Sequence, residues 1–284
     1  MKITTYSANG VESFGVVTDT GIIDARPLAG GPLTLKEAIN ANALTLIEEA
    51  AANKTPDHSL DEIEFLPVVP NPNKIFCVGL NYRSHVLEGG RDLPEWPMIF
   101  TRFANSQVGH NQPMVKPSVS DRFDFEGEMA VIIGKTCRHV PETEALSVIA
   151  GYSCYNDGSI RDYQRHTSQF GPGKNFYQSG AFGPWMVTSD EIPDPSALTL
   201  MTRLNGEEMQ KATTDDLLFN VNQLIHYLTT VTELEPGDVI VTGTTGGVGL
   251  YREPPVFMKK GDTIEVELDK IGVLRNPIVD EVQK

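Results

Sequence analysis

Two glutamates separated by one glycine, Glu126-Gly127-Glu128, run directly into the apolar stretch Met129-Ala130-Val131-Ile132-Ile133. A run this short and this rich in β-branched side chains reads as a strand buried on both faces. Side chains alternate along a strand, so residues 126 and 128 project from one face with their stems about 7 Å apart. The fold must therefore bring two carboxylates to the mouth of its core, where they repel each other unless protons or a cation intervene. Taken alone, the pair also has a plainer reading as a solvated strand end.

The strand pattern recurs beyond residue 71, over 148–155, 185–188, 198–204, 239–242 and 263–268. The last two follow the turn sequences Pro236-Gly237-Asp238 and Lys260-Gly261-Asp262, which start a new strand each time. Helical patterns are fewer: 142–149 after Pro141, and a longer one capped by Asp215 that carries Leu217, Leu218, Val221, Leu224, Ile225 and Leu228. The first 70 residues predict a small unit of their own. Alternating segments at 2–6 and 13–18 are joined by Asn9-Gly10, a hairpin signal, a third strand is expected at 21–23, and a helix over 33–52 follows. Pro67, Pro70 and Pro72 mark a stiff connector before a strand at 74–78. The chain is thus expected to divide into residues 1–70, small and α+β, and residues 71–284, larger and β-rich. It shows no internal repeat.

Charge narrows the function. Lys and Arg number 23 against 38 Asp and Glu, a net charge of −15 over 284 residues, which opposes nucleic acid and an anionic membrane surface alike. No apolar stretch approaches the roughly 20 residues of a membrane helix, and residues 1–10 lack the apolar core of a signal peptide, so a soluble, cytoplasmic protein is expected. Cys77, Cys137 and Cys154 are isolated and odd in number, which fits reduced core residues better than disulfides or a thiolate zinc site.

Further residues could carry chemistry. Asp157, in Asn156-Asp157-Gly158, ends a strand-like run and adds a third carboxylate; it is also a ready turn residue. Three oxygen donors without sulfur suit a hard divalent cation, Mg²⁺ or Mn²⁺ before Zn²⁺. His85 and Glu88 lie three apart in a stretch long enough for a short helix ending at Gly89-Gly90, so they share a face. A carboxylate beside an imidazole orients the ring and raises its basicity, and the glycine pair would let the turn act as a hinged lid. The loop from Gly243 to Gly249 lacks the nucleotide-binding spacings, but it can offer N–H groups and the Thr244 hydroxyl to a carboxylate or oxyanion. Arg161, Gln164 and Lys174 lie downstream of Asp157, where cations would serve an anionic substrate; singly, each also reads as a surface residue. Trp96 and residues 100–103 read as core.

These motifs occur in one order along the larger part of the chain, and together they resemble the fumarylacetoacetate hydrolase superfamily, in its acylpyruvate hydrolase and hydroxyheptadienedioate isomerase branch. The matching text includes Val78-Gly79-Leu80-Asn81-Tyr82 with His85 and Glu88, Phe125-Glu126-Gly127-Glu128, Asn156-Asp157, Arg161-Asp162 with Gln164, Gly173-Lys174, Gln210 and Thr242-Gly243-Thr244. The resemblance implies an α+β fold, a β-rich mixed roll with a small N-terminal α+β domain, and a homodimer. It implies Mg²⁺ or Mn²⁺ on Glu126, Glu128 and Asp157, with Ca²⁺ able to take their place in crystals. His85, Glu88 and Lys174 would be catalytic, and Tyr82, Arg102, Arg161, Gln164 and Thr244 would contact a small anionic 2-oxo or 2,4-dioxo acid. The leading expectation is hydrolysis of a C–C bond in an acylpyruvate, fumarylpyruvate or 2,4-dioxo sugar acid. The alternatives are an oxaloacetate-type decarboxylase or a hydroxymuconate-type isomerase using the same metal-enolate chemistry, and, from another class, a non-catalytic binding protein on the same scaffold.

Overall fold

The apolar run lies in the strand Gly127–Ile133, all of whose residues are buried, in a computed structural model that describes residues 1–282. It pairs antiparallel with Ile149–Asn156 on one side and with Val239–Val241 on the other. Its two faces enter different cores. Met129, Val131 and Ile133 join the helix Val221–Val231 and the inner residues of a second sheet, while Ala130 and Ile132 join Leu35, Ile39 and Ile47 from the N-terminal segment. Each fully buried aliphatic side chain here contributes about 1.5–3 kcal/mol, so the strand is held from both sides. Because Glu126 and Glu128 precede it in the period-two series of Ala130 and Ile132, they open onto the side away from the second sheet.

The large sheet runs in the order Gly21–Asp24, Val11–Thr18, Lys2–Ala8, Gly180–Thr188, Ile149–Asn156, Gly127–Ile133, Val239–Val241, Ile75–Gly79, Met98–Thr101. The smaller one runs Glu207–Thr213, Thr199–Leu204, Thr263–Leu268, Gly272–Asp280, Met114–Lys116. The fold is sheet-dominated and mixed, of the type the resemblance implies. Asn9 and Gly10 take positive φ values of 51° and 78°, which the tight hairpin between the first two strands requires. Residues 1–70 share a sheet and a core with the rest: Lys2 pairs with Val187 and Ile3 with Met186, and the Met1 ammonium donates to Thr188 Oγ1 at 2.7 Å.

The structure corrects four expectations. The helix expected over 33–52 is two helices, Leu35–Asn40 and Leu44–Ala51, because Asn42 adopts a left-handed φ of 55° that ends the first one. Residues Glu142–Val148 form a 3₁₀ helix, with Glu144 N–H donating to the Pro141 carbonyl. Asp215 caps no long helix. The buried Asn81 takes the Leu218 and Phe219 N–H groups out of helical pairing, and the helix begins at Val221 with Asn220 and Gln223 forming a reciprocal cap. Trp96 and Phe103 are 65% and 63% exposed and lie outside the core. The three cysteines are free, as expected.

His110 sits where the N-terminal segment meets the rest, its ring 5.1 Å from that of Phe65 and its Nδ1 accepting from Arg275 N–H at 3.1 Å. Burial, helped by the Arg275 charge, pushes its pKa down from 6.5 to about 4. Between those values the unfolded chain takes up the proton and the folded one does not, so this residue makes stability fall as pH falls through that window. His110→Gln should therefore gain on the wild type between pH 7 and about pH 4.5 in urea unfolding; a pH-independent difference would refute a buried neutral ring.

Candidate metal centre

Glu126 and Asp157 end neighbouring strands and are laced together. Glu126 N–H donates to Asn156 Oδ1 at 3.0 Å, and Asp157 N–H donates to the Glu126 carbonyl at 2.8 Å. With Glu128 they form a cluster in which carboxylate oxygens all lie within 4.8 Å of one another, and all three residues are buried. The sequence-predicted donors thus converge, from text 31 positions apart.

Three buried cations face the cluster. Lys174 Nζ lies 2.6 Å from both Glu126 Oε2 and Asp157 Oδ2. Arg161 reaches Glu126 Oε1 at 2.6 Å through Nη1 and Asp124 Oδ2 at 2.8 Å through Nε, and Arg102 Nη1 is 2.5 Å from Asp157 Oδ1. Counting Asp124, four buried carboxylates share three cations, and Glu128 has no cationic partner among the described residues. Burial pushes Glu126 up, but Lys174 and Arg161 prevail and hold its pKa down at about 2. Burial also pushes Glu128 up, and there Asp157 and Glu126 add to the shift, leaving it well above the usual carboxylate range. Among the described residues the one close donor to Glu128 is Gly243 N–H, at 2.5 Å. A centre short of one positive charge, built only from hard oxygen donors, fits a divalent cation of the Mg²⁺ or Mn²⁺ class.

The glycine-rich loop does bind carboxylates, but the protein's own. Gly243 N–H serves Glu128, Gly247 N–H serves Glu88 at 3.0 and 3.1 Å, and Gly249 and Leu250 N–H serve Asp124 at 2.8 and 2.9 Å. Gly243 has a φ of 108°, and a Cβ there would come within 2.7 Å of Asn81 Cβ, so no other residue fits. The Thr244 hydroxyl is already engaged, donating to the Gly127 carbonyl at 3.0 Å and accepting from Gln210 at 2.8 Å. It lines the cleft without a hydroxyl proton to give away.

His85 and Glu88 share the short helix Arg83–Glu88, as their spacing predicts. His85 is 7% exposed, with Nδ1 3.5 Å from Glu88 Oε2. The helix is docked by Ser84, whose N–H and hydroxyl donate to Asp216 at 3.1 and 2.7 Å, and the Tyr251 ring stands 6.0 Å from that of His85. His85, Glu126, Glu128, Arg161, Gln164, Lys174 and Thr244 line one cleft. Gln164 accepts from Arg161 there at 2.9 Å. Tyr82 and Arg102 do not line it: Tyr82 is wholly buried, and Arg102 lies beneath Asp157 with further bonds to Ser106, Ser179 and the Gly158 carbonyl. Arg102 thus contacts the centre from below, and Tyr82 packs in the apolar core. Phe100 faces the cleft, with Lys174 Nζ 5.1 Å from its ring centroid.

Sequence reasoning missed Asp124, which joins Arg161 to the glycine loop. The signal was present, since Asp124-Phe125-Glu126-Gly127-Glu128 extends the period-two series of acids one step back. It also missed Asp216 and the clamp made by Asn81, which donates to the Thr242 and Phe219 carbonyls at 2.7 and 3.0 Å; neither carries a local signal.

The family model described as the C-terminal part of fumarylacetoacetate hydrolase matches residues 74–279. A bovine protein named a mitochondrial oxaloacetate tautomerase, FAHD2A, is 38% identical over 252 residues, covering 87% of this chain and 80% of its own length. Among solved structures, a fumarylacetoacetate hydrolase from Exiguobacterium antarcticum superposes with a TM-score of 0.83 at 32% identity, covering 99% of this chain and 100% of that one. A maleylpyruvate hydrolase from Sphingobium, in complex with manganese and pyruvate, superposes with a TM-score of 0.82 at 29% identity, covering 99% and 100%.

A cation that binds only the folded protein raises its melting temperature, so Mn²⁺ at about 1 mM should do so, a chelator should reverse it, and Glu128→Gln should remove most of the rise in a thermal melt. Asp124→Asn leaves Arg161 without its full counter-charge and should cost about 3 kcal/mol in urea unfolding. A loss within about 0.5 kcal/mol would refute the anchoring role of Asp124.

Proposed function

This chain belongs to the fumarylacetoacetate hydrolase family, and from that premise we propose that it catalyses proton transfer on a small 2-oxo acid, interconverting keto and enol forms. The observation that carries the proposal is the imidazole of His85, beside Glu88 and in the cleft of a carboxylate cluster fit for a divalent cation. The names of the mammalian relatives, oxaloacetate tautomerases, support it.

A divalent cation on Glu126, Glu128 and Asp157 would supply positive charge opposite the oxygen that gains charge as the enolate forms. The chain's own residues do the rest. With Nδ1 on the side of Glu88, 3.5 Å from its carboxylate, Nε2 is the ring nitrogen left to take a proton from the carbon beside the oxo group and return it. Glu88 is in turn fixed by Gly247 N–H, so the ring is positioned from the loop that also carries the Glu128 contact. Lys174 is pushed down by burial but raised on balance by Asp157 and Glu126, so it serves as an ammonium and not as a base. With Arg161 and Gln164 it forms the cationic wall that receives the substrate carboxylate.

The second reading is the hydrolysis of an acylpyruvate-type β-diketo acid, in which His85 activates water. It is favoured by the likeness to a maleylpyruvate hydrolase solved with manganese and pyruvate. Mg²⁺ or Mn²⁺ as the cation, a homodimer as the working form and a cytoplasmic location belong to the same proposal. The division at residue 70 is supported by a family match that starts at residue 74.

Oxaloacetate equilibration, followed by its enol absorbance, should be accelerated by the Mn²⁺-loaded protein and returned to the uncatalysed rate by chelator, with no pyruvate beyond that formed with Mn²⁺ alone. Cleavage of acylpyruvates without this acceleration would overturn the first reading in favour of the second. His85→Ala should lose about 10²–10⁴-fold in kcat while keeping the Mn²⁺-induced rise in melting temperature.

A further inference from the structure

Two arginines on the cleft wall have no part in the chemistry of the carboxylate cluster. Arg91 and Arg165 both line the cleft that holds it, and both are exposed. Neither guanidinium makes a hydrogen bond or ion pair with any described residue, whereas Arg26, Arg102, Arg161, Arg203 and Arg275 all reach a carboxylate; Arg83 and Arg122 are equally unpaired among the described residues but do not line the cleft. In a chain with 38 acidic residues against 23 basic ones, two unpaired guanidiniums facing one cleft stand out. Their backbones are pinned: Arg91 N–H donates to the Val86 carbonyl at 3.2 Å, and Arg165 N–H to the Asp162 carbonyl at 3.1 Å. One side chain is thus carried just past the His85 helix and the other just past the Arg161 turn.

We propose that Arg91 and Arg165 recognise a second carboxylate at the far end of the substrate, making this a site for 2-oxo diacids and excluding uncharged acyl groups. The inference rests on the function proposed above, in which the cluster and the Lys174 wall take the 2-oxo acid end. A guanidinium presents a planar fork that matches a carboxylate, and its hydrogen bonds to an ion are roughly twice as strong as neutral ones. Positive charge confined to the cleft also offsets the repulsion that a protein of charge −15 exerts on a dianion. Because the two arginines are exposed, their contribution is screened by salt, whereas that of buried Lys174 and Arg161 is not.

The test uses a matched pair of ligands that can neither enolise nor lose the distal carboxylate as CO₂: 3,3-dimethyl-2-oxoglutarate, which carries the distal carboxylate, and 3,3-dimethyl-2-oxopentanoate, which has a methyl group in its place. Their affinities for the Mn²⁺-loaded protein, measured by calorimetry, report recognition independently of turnover. The diacid should bind the wild type about 100-fold more tightly; Arg91→Ala and Arg165→Ala should each cut that ratio about tenfold, and the double variant should bring it near one. Lysine at either position should restore part of the ratio, and salt near 0.5 M should shrink it in the wild type. A wild-type ratio near one, or a double variant that keeps the full ratio, would overturn the proposal. Loss of oxaloacetate tautomerisation with the binding ratio intact would count against the assigned reaction and leave the recognition of a second carboxylate standing.

Discussion

Four carboxylates buried beside three cations are the constraint around which this protein is arranged. Removing an ion from water costs several kcal/mol even after relaxation, so such a group survives only where nearly every charged atom has a partner in good geometry. Asp157 meets Arg102 and Lys174, Glu126 meets Lys174 and Arg161, and Asp124 meets Arg161 and two loop N–H groups. The shortfall falls on Glu128, whose proton affinity rises as a result. A site that is nearly balanced, with one carboxylate left over, is prepared for a cation of higher charge.

The same constraint explains the glycine-rich loop. Backbone N–H groups can approach a carboxylate closely only where side chains stay out of the way, and Gly243, Gly247 and Gly249 supply that at successive turns. The three N–H groups serve acids with different roles, since Glu128 belongs to the metal centre, Glu88 orients His85 and Asp124 anchors Arg161. The loop therefore couples the positions of these groups, so the His85 helix cannot move without breaking its contact with the same short segment that touches Glu128.

Much of the architecture was readable without coordinates. Period-two alternation and Gly-Asp turns located the strands at 239–241 and 263–268 almost to the residue, and a three-residue spacing put His85 and Glu88 on one helical turn. The errors have one physical source. The helix expected from Asp215 has a sound amphipathic pattern, yet Asn81, more than a hundred residues earlier, captures the backbone N–H groups that the pattern needs. Trp96 looked like core because it is large and apolar, but nothing in the surrounding text shows that the fold leaves its side uncovered. The text likewise gives no sign that Arg102 is a buried partner of Asp157, which is a matter of depth alone.

What the amino-acid order determined is what local covalent geometry can carry: which acids share a strand face, where the chain must turn through glycine, and which donor chemistry the site would have. What the tertiary structure decided is the pairing. Whether a carboxylate is ionised, which arginine neutralises it and which stands free in the cleft depend on distances of a few ångström between segments far apart in the chain. Coulomb and desolvation energies act through space and are blind to sequence separation, so the balance of this centre becomes visible only once the strands have paired.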